Sequence, residues 1–185
     1  MRRSTILTIA GISAASILLL AACQTPRLNL FRYGEPGTPL AVGDEVKIDF
    51  FTNEMNFNTG VALDAGAGYA LDITILSAWI DRDIDTNEAG EELDELGFDN
   101  SLMPYDWVGY LRRSRDHNWF ELMLHQPSCP RESLTGVSDL EFDEEGGSYN
   151  FIAACDGNLA LFVNDSVGFY GNNVGYANIS LTRLN

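Results

Sequence analysis

Hydrophobic and polar positions alternate in several short runs along the chain. Tyr69, Leu71, Ile73 and Ile75 alternate with Ala70, Asp72 and Thr74, and Trp79 closes the run. Residues 69–79 are therefore predicted to form a strand with one buried face. Ala177, Ile179 and Leu181 alternate with Asn178, Ser180 and Thr182 in the same way, which predicts a last strand over residues 174–184. Residues 46–52 form the first clear strand. Phe120, Leu122 and Leu124 share one face of a further strand at 119–124, between His117 and His125. Residues 149–154 and 159–163 read as two more strands, and the Asp156-Gly157-Asn158 turn between them predicts a hairpin. Residues 53–60, with Asn53, Glu54, Asn56 and Asn58, read as a loop. Short strands separated by turn residues, with no helical period after residue 23, predict an all-β sandwich.

The N-terminus departs from this pattern. Met1-Arg2-Arg3 is followed by an apolar stretch from Ile6 to Leu20, which is short for a membrane span and suits a targeting segment. It ends in Leu20-Ala21-Ala22-Cys23, which resembles the bacterial lipobox. The resemblance implies cleavage before Cys23 and acylation of that cysteine. Gln24, rather than Asp, follows it, which implies sorting to the outer membrane of a Gram-negative bacterium. Pro26, Gly34, Pro36, Gly37 and Pro39 then mark an aperiodic stretch. The predicted organisation is a signal peptide at 1–22, a lipid-anchored tether at 23–43 and a β-sandwich at 44–185.

Composition narrows the partners. Without residues 1–22, 163 of the 185 residues remain, enough to bury a core. Loss of Arg2 and Arg3 leaves nine basic against 27 acidic residues, a net charge of −18. So acidic a surface repels nucleic acid and anionic lipid and concentrates divalent cations. With Cys23 acylated, Cys129 and Cys155 remain as a pair in an oxidising compartment, which predicts a disulfide. No CxxC or Cys/His cluster accompanies them for metal binding. His117 and His125 also lack neighbours at zinc spacing and are expected at the surface.

Acidic residues crowd one segment: Asp81, Asp83, Asp85, Glu88, Glu91, Glu92, Asp94 and Glu95. Asp81, Asp83, Asp85 and Glu92 match positions 1, 3, 5 and 12 of an EF-hand loop, but Thr86 stands where the sharp turn needs glycine. A strand rather than a helix precedes them, so a solvated charged surface is expected. Residues 97–115 carry Pro104, Trp107 and Tyr110 beside Arg112, Arg113 and Arg115. The arginines could pair with the acidic run. An exposed Trp or Tyr there could stack on a sugar, although burial is the commoner fate of such rings.

The loop Asn164-Asp165-Ser166-Val167-Gly168-Phe169-Tyr170-Gly171-Asn172-Asn173 is longer and more polar than a hairpin turn needs. Asp165, Asn172 and Asn173 offer hard oxygen atoms of the kind Ca²⁺ takes, and Gly168 and Gly171 would let the backbone turn carbonyls inward. A plain turn rich in Asn, Asp and Gly is the alternative. The order Asp-x-x-Gly-x-Tyr-Gly-Asn-Asn, between an apolar strand and an alternating one, resembles the calcium loop of the PA-IL type galactophilic lectins. The match covers residues 159–184. It implies that Asp165, Asn172 and Asn173 are side-chain ligands of one Ca²⁺, with main-chain carbonyls from Phe169 and from Arg82, which has Asp81 beside it. It further implies a jelly-roll-like, galactose-binding-like sandwich in which the metal, through these ligands, coordinates sugar hydroxyls. The family's sugar-contacting His and Gln have no counterpart in the acidic segment, so the resemblance supports calcium more firmly than galactose.

Three function classes follow. The first is a calcium-dependent carbohydrate-binding lipoprotein of the envelope, and the second is an envelope protein in which calcium only staples the sandwich. The third is a hydrolase or its accessory module. No Gly-x-Ser-x-Gly elbow, HExxH or phosphate loop is present, so binding is expected rather than catalysis.

Overall fold

Two sheets of half-buried strands lie behind the alternation in the sequence, and the computed structural model describes them over residues 35–185. The signal segment, Cys23 and the first part of the tether lie outside the described residues. The strands, in chain order, are β1 (Thr38–Pro39), β2 (Glu45–Phe51), β3 (Phe57–Leu63), β4 (Gly68–Asp81) and β5 (Leu122–His125). They continue with β6 (Thr135–Gly136), β7 (Glu141–Asp143), β8 (Ser148–Ile152), β9 (Gly157–Val163) and β10 (Asn173–Arg183). One five-stranded sheet has the order β1-β3-β9-β5-β6 and the other β2-β10-β4-β8-β7. All pairings are antiparallel except β1 with β3, an edge pair. The described helical elements are four short 3₁₀ turns. This is a two-sheet β-sandwich, as the sequence predicts.

The core follows from the period of two. In β10, Ala177, Ile179 and Leu181 are fully buried, and the register sets them beside Phe50, Ile48 and Val46 of β2 and Ile75, Ile73 and Leu71 of β4. β9 is different. Its apolar run is buried on both faces: Leu161, Phe162 and Val163 all belong to the core cluster, and Phe162, on the opposite face to the other two, is also covered by the Arg113 guanidinium 3.4 Å from its ring centre. Cys129 and Cys155 are joined by a disulfide, as expected.

Four expectations need correction. The loop expected at 53–60 gives way to β3 from Phe57. A register break between Asn58 and Ala62, with Gly60 at φ 75°, hides the period there. The strand expected at 119–124 begins only at Leu122, because Phe120 adopts φ 63°. Gly97 also crosses so close that a Cβ would stand 2.0 Å from the Trp119 carbonyl oxygen. Strands β8 and β9 form no hairpin; they belong to different sheets. Ala153 pairs with Ala67 at the start of β4 through an N–H···O bond of 3.0 Å. One residue later Ala154 donates to Gln126 Oε1 at 2.8 Å, and Cys155 is bonded to Cys129, so residues 153–157 cross from one sheet to the other. Finally, the histidines are not at the surface. His125 ends β5 in the interior, and the His117 ring, nearly buried, is held by Ser114 Oγ at 2.6 Å and Asp139 Oδ2 at 2.7 Å.

Candidate calcium site

The loop after β9 is anchored before it turns. Asn164 is fully buried; its Nδ2 donates to the carbonyls of Ser114 (2.8 Å) and Asn118 (2.8 Å), and its Oδ1 accepts from Ser114 N–H (2.9 Å). Tyr170 then folds the loop back: its hydroxyl donates to the Val163 carbonyl at 2.7 Å and accepts from Arg113 Nη1 at 3.0 Å. Arg113 also binds Asn56 Oδ1 at 2.8 Å and the Met55 carbonyl. Two of the arginines that could have paired with the acidic run serve as braces: Arg113 holds this loop, and Arg112 donates to the His117 carbonyl at 2.6 Å. Gly168 and Gly171 carry no left-handed φ, and a Cβ on either would meet nothing, so the turn is made by these bonds and not by glycine freedom.

The register of β10 on β4 pairs Asn173 with Asp81, which brings the end of β4 to the loop. Asp165 is 2 % exposed, Asn173 4 % and Asp81 6 %. Asp165 accepts from its neighbour Ser166 N–H at 2.5 Å through Oδ1 and from Asn173 Nδ2 at 3.0 Å through Oδ2. Asn172 Nδ2 donates to Asp81 Oδ1 at 2.9 Å, and the Asn172 carbonyl accepts from Arg82 N–H at 3.3 Å. Asn173 Nδ2 also donates to the Thr52 carbonyl at 3.3 Å. Its Oδ1 is buried without a hydrogen-bond partner. A buried acceptor left in that condition costs about 1–3 kcal/mol.

Electrostatics point the same way. Burial, and then the charge of Asp165, push the Asp81 carboxyl up to about 6, with the Asn172 hydrogen bond and Arg82 offsetting part of the rise. Burial likewise pushes Asp165 up, against the hydrogen bonds from Ser166 and Asn173. The ion pairs among the described residues, Arg82–Asp83, His117–Asp139 and Arg183–Asp64, involve neither. Asp81 thus feels the charge of Asp165, and Arg82 offsets only part of it.

Of the residues proposed from the sequence, Asp165, Phe169, Asn172 and Arg82 border one cleft of about 440 Å³, and Asn173 is hydrogen-bonded to Asp165. The Phe169 side chain is exposed, and its carbonyl accepts from Asn172 N–H at 3.0 Å. Arg82 adopts φ 55° at the turn out of β4 and points its guanidinium to Asp83 at 3.3 Å. Asp83, Asp85 and Glu92, three of the four residues in the EF-hand register, are exposed. Sequence reasoning missed Asp81 as a side chain of the site. Carrying the alternation two residues past Trp79 would have placed it inward.

The donor set fits a hard cation. Among the described residues no three Asp, Glu, His or Cys side chains gather closely enough to hold a metal. A site here must therefore be completed by amide and carbonyl oxygens, which Ca²⁺ accepts. The orphaned Asn173 Oδ1 is such an oxygen.

The chain matches no protein-family model and no curated protein sequence. Among solved structures it is similar to one described as the EclA N-terminal domain, a PllA-like lectin. The two share 17% identity, with 75% of this chain and 94% of that one covered and a TM-score of 0.42. The sandwich assignment rests on the two sheets themselves.

Proposed function

We propose that the protein is a calcium-dependent carbohydrate-binding lipoprotein of the cell envelope, displayed on the outer membrane through Cys23. One observation carries the calcium part: Asp81 and Asp165 are buried against the same cleft outside the described ion pairs, beside the unpartnered Asn173 Oδ1. In this reading Asp165, Asn172, Asn173 and Asp81 offer side-chain oxygens, and Phe169 and Arg82 offer carbonyls. Bound calcium would supply coordination positions that two adjacent sugar hydroxyls can fill. Asn173 is steered by its Nδ2, which the Thr52 carbonyl and Asp165 hold, so Oδ1 is the end left for an ion. Asp81 adds a second negative charge to the single one in the loop, and it comes from the other half of the chain. An ion shared by both would therefore tie β4 to the β9–β10 loop.

A catalytic reading would start from the chain Ser114 Oγ···His117 Nδ1 and His117 Nε2···Asp139 Oδ2. Ser114 is buried with its backbone held by Asn164, and neither it nor His117 lines the cleft at Asp81 or the one at His125. That trio is better read as a brace for the segment that anchors the loop.

The test is thermal unfolding with calcium and with chelator, joined to a glycan array under the same two conditions. Calcium at a hundred times its Kd should stabilise the protein by about 2.7 kcal/mol. Asp165→Ala should abolish that gain, and glycan binding should vanish in chelator. An Asp165→Ala protein that still gains stability from calcium sinks the site. A calcium response without any glycan bound reduces the ion to a staple. Cys23→Ser should release the protein from the membrane fraction, and its retention there would refute the anchor.

A further inference from the structure

The turn that walls the cleft carries rings that the fold leaves exposed. Of the chain's three tryptophans, Trp79 and Trp119 are buried, whereas Trp107 is 58 % exposed. Tyr105 is exposed as well, and its ring lies 6.2 Å from that of Trp107 in a stacked arrangement with only 16° between their planes, so the two form one exposed aromatic pair. Tyr110 and Leu111, a few residues on, are also exposed. Scattered apolar side chains at a surface need no explanation, but a cluster on one turn does.

The backbone beneath these rings is pinned. Asn100 donates through Nδ2 to the Asp106 carbonyl at 3.1 Å and accepts through Oδ1 from the Trp119 indole N–H at 2.8 Å. Gly109 packs so close that a Cβ there would stand 2.7 Å from Asn100 Oδ1. Arg112 Nε donates to the Gly109 carbonyl at 3.3 Å, and Met103 and Val108 turn inward against the core. Much of the cost of ordering this turn is therefore met on folding, which is what a recognition surface requires.

Pro104 and Val108, the chain neighbours of Tyr105 and Trp107, line the cleft that Asp81 and Asp165 border, while the two rings themselves do not. The rings thus stand on its rim, and a ligand held at the carboxylates reaches them only by extending past the wall. Sugars match this arrangement: their hydroxyl edges suit the polar floor, and their C–H faces stack on aromatic rings. The cleft volume of about 440 Å³ lies within the range of small-ligand sites.

We propose that Tyr105 and Trp107 form a stacking subsite for a second sugar ring, so that the site selects oligosaccharides over single sugars. This rests on the reading of the cleft as a carbohydrate site. The probes are methyl glycosides of galactose, glucose and mannose and the matching β1,4-linked di- and trisaccharides, titrated into the purified full chain with calcium present. The oligosaccharide of the accepted sugar should bind about tenfold more tightly than its methyl glycoside. It should also shield Trp107 from acrylamide quenching, which the methyl glycoside should not. Tyr105→Ala combined with Trp107→Ala should bring the two affinities together while the calcium-induced rise in Tm persists, which shows that the variant is folded.

A methyl glycoside that binds as tightly as its oligomers would overturn the subsite and leave the carbohydrate reading standing. So would a double variant that keeps the preference for length. If no sugar of any length binds although calcium still raises Tm, the carbohydrate reading falls and the subsite with it. Self-association of the wild type that the double variant loses would assign the rings to a second copy of the chain and overturn the proposal.

Discussion

Two places in this sandwich bury carboxylates, and they are finished differently. Glu121 is fully buried; its Oε1 accepts from Ser138 N–H at 3.0 Å and Ser138 Oγ–H at 2.6 Å, and its Oε2 accepts from Asn118 N–H at 3.0 Å. Gly136 lies against it so closely that a Cβ would come within 2.1 Å of Oε1. Donors and packing from two segments close that acid off. Asp81 and Asp165 are nearly as buried, yet Asp81 accepts one bond from Asn172, and Asp165 accepts from its own neighbour and from Asn173. Each also feels burial as a cost to its charge, and Asp81 feels the charge of Asp165. The fold completes the first acid from within and leaves the second pair open to a cleft. A buried acid closed off by its own chain is a structural element, whereas a sparsely bonded pair open to a cleft beside an orphaned oxygen marks a place for a ligand.

The largest effect expected from this contrast is at Glu121. Glu121→Ala removes a charged acceptor from three donors and leaves a hole in a packed region, a loss of about 4 kcal/mol. Urea unfolding should give the same loss in calcium and in chelator. A loss seen only with calcium present would make Glu121 part of the metal site and erase the distinction.

The sequence was legible where the signal was local. β2, β4, β9 and β10 each show their face or their buried run in consecutive residues. β6 and β7 are too short for a period, and the bulge at Asn58–Ala62 in β3 erases one. The supposed hairpin at Asp156-Gly157-Asn158 failed because the partners of β8 and β9 are set by Ala67 and by the disulfide, both remote in sequence. The same division holds at the site. Asp165, Phe169, Asn172 and Asn173 lie within nine residues and could be read together. Asp81 enters only through the pairing of β10 with β4, and the exposure of Trp107 depends on a turn fixed by Asn100.

The next effect concerns the open pair itself. The Asp81 carboxyl, pushed up to about 6, is held more tightly by its proton in the folded metal-free protein than in the unfolded chain. The folded state therefore binds the extra proton, and the stability this contributes is present at acid pH and lost as pH rises from about 4 through about 6. The loss is of order 2–3 kcal/mol in chelator. Asp81→Asn should flatten this profile and stabilise the metal-free protein at pH 7, opposite in sign to Glu121→Ala. Calcium stabilises the charged form, so the gap in Tm between calcium and chelator should widen through the same pH range. A metal-free protein that grows more stable across pH 4–6 by way of Asp81 would contradict the repulsion described above.

The smallest effect is expected two residues further on, where acidic density in the sequence is highest. The Asp83 side chain is 86% exposed, and its partner Arg82 78%, at 3.3 Å. Exposed pairs of this kind contribute little, because water screens the attraction and two long side chains must be held in place. Asp83→Ala should change stability by less than about 0.5 kcal/mol. It should leave the response to calcium nearly intact, because Asp83, although it borders the same cleft, is exposed to water and turned to Arg82. Asp81→Ala, two residues away on the same strand end, should nearly abolish that response. The pair of variants separates charge density from burial as the cause of cation binding, since both remove one carboxylate from the same segment. A calcium response lost in Asp83→Ala and kept in Asp81→Ala would move the ion to the acidic run and leave Asp165 and Asn173 without the partner their burial implies.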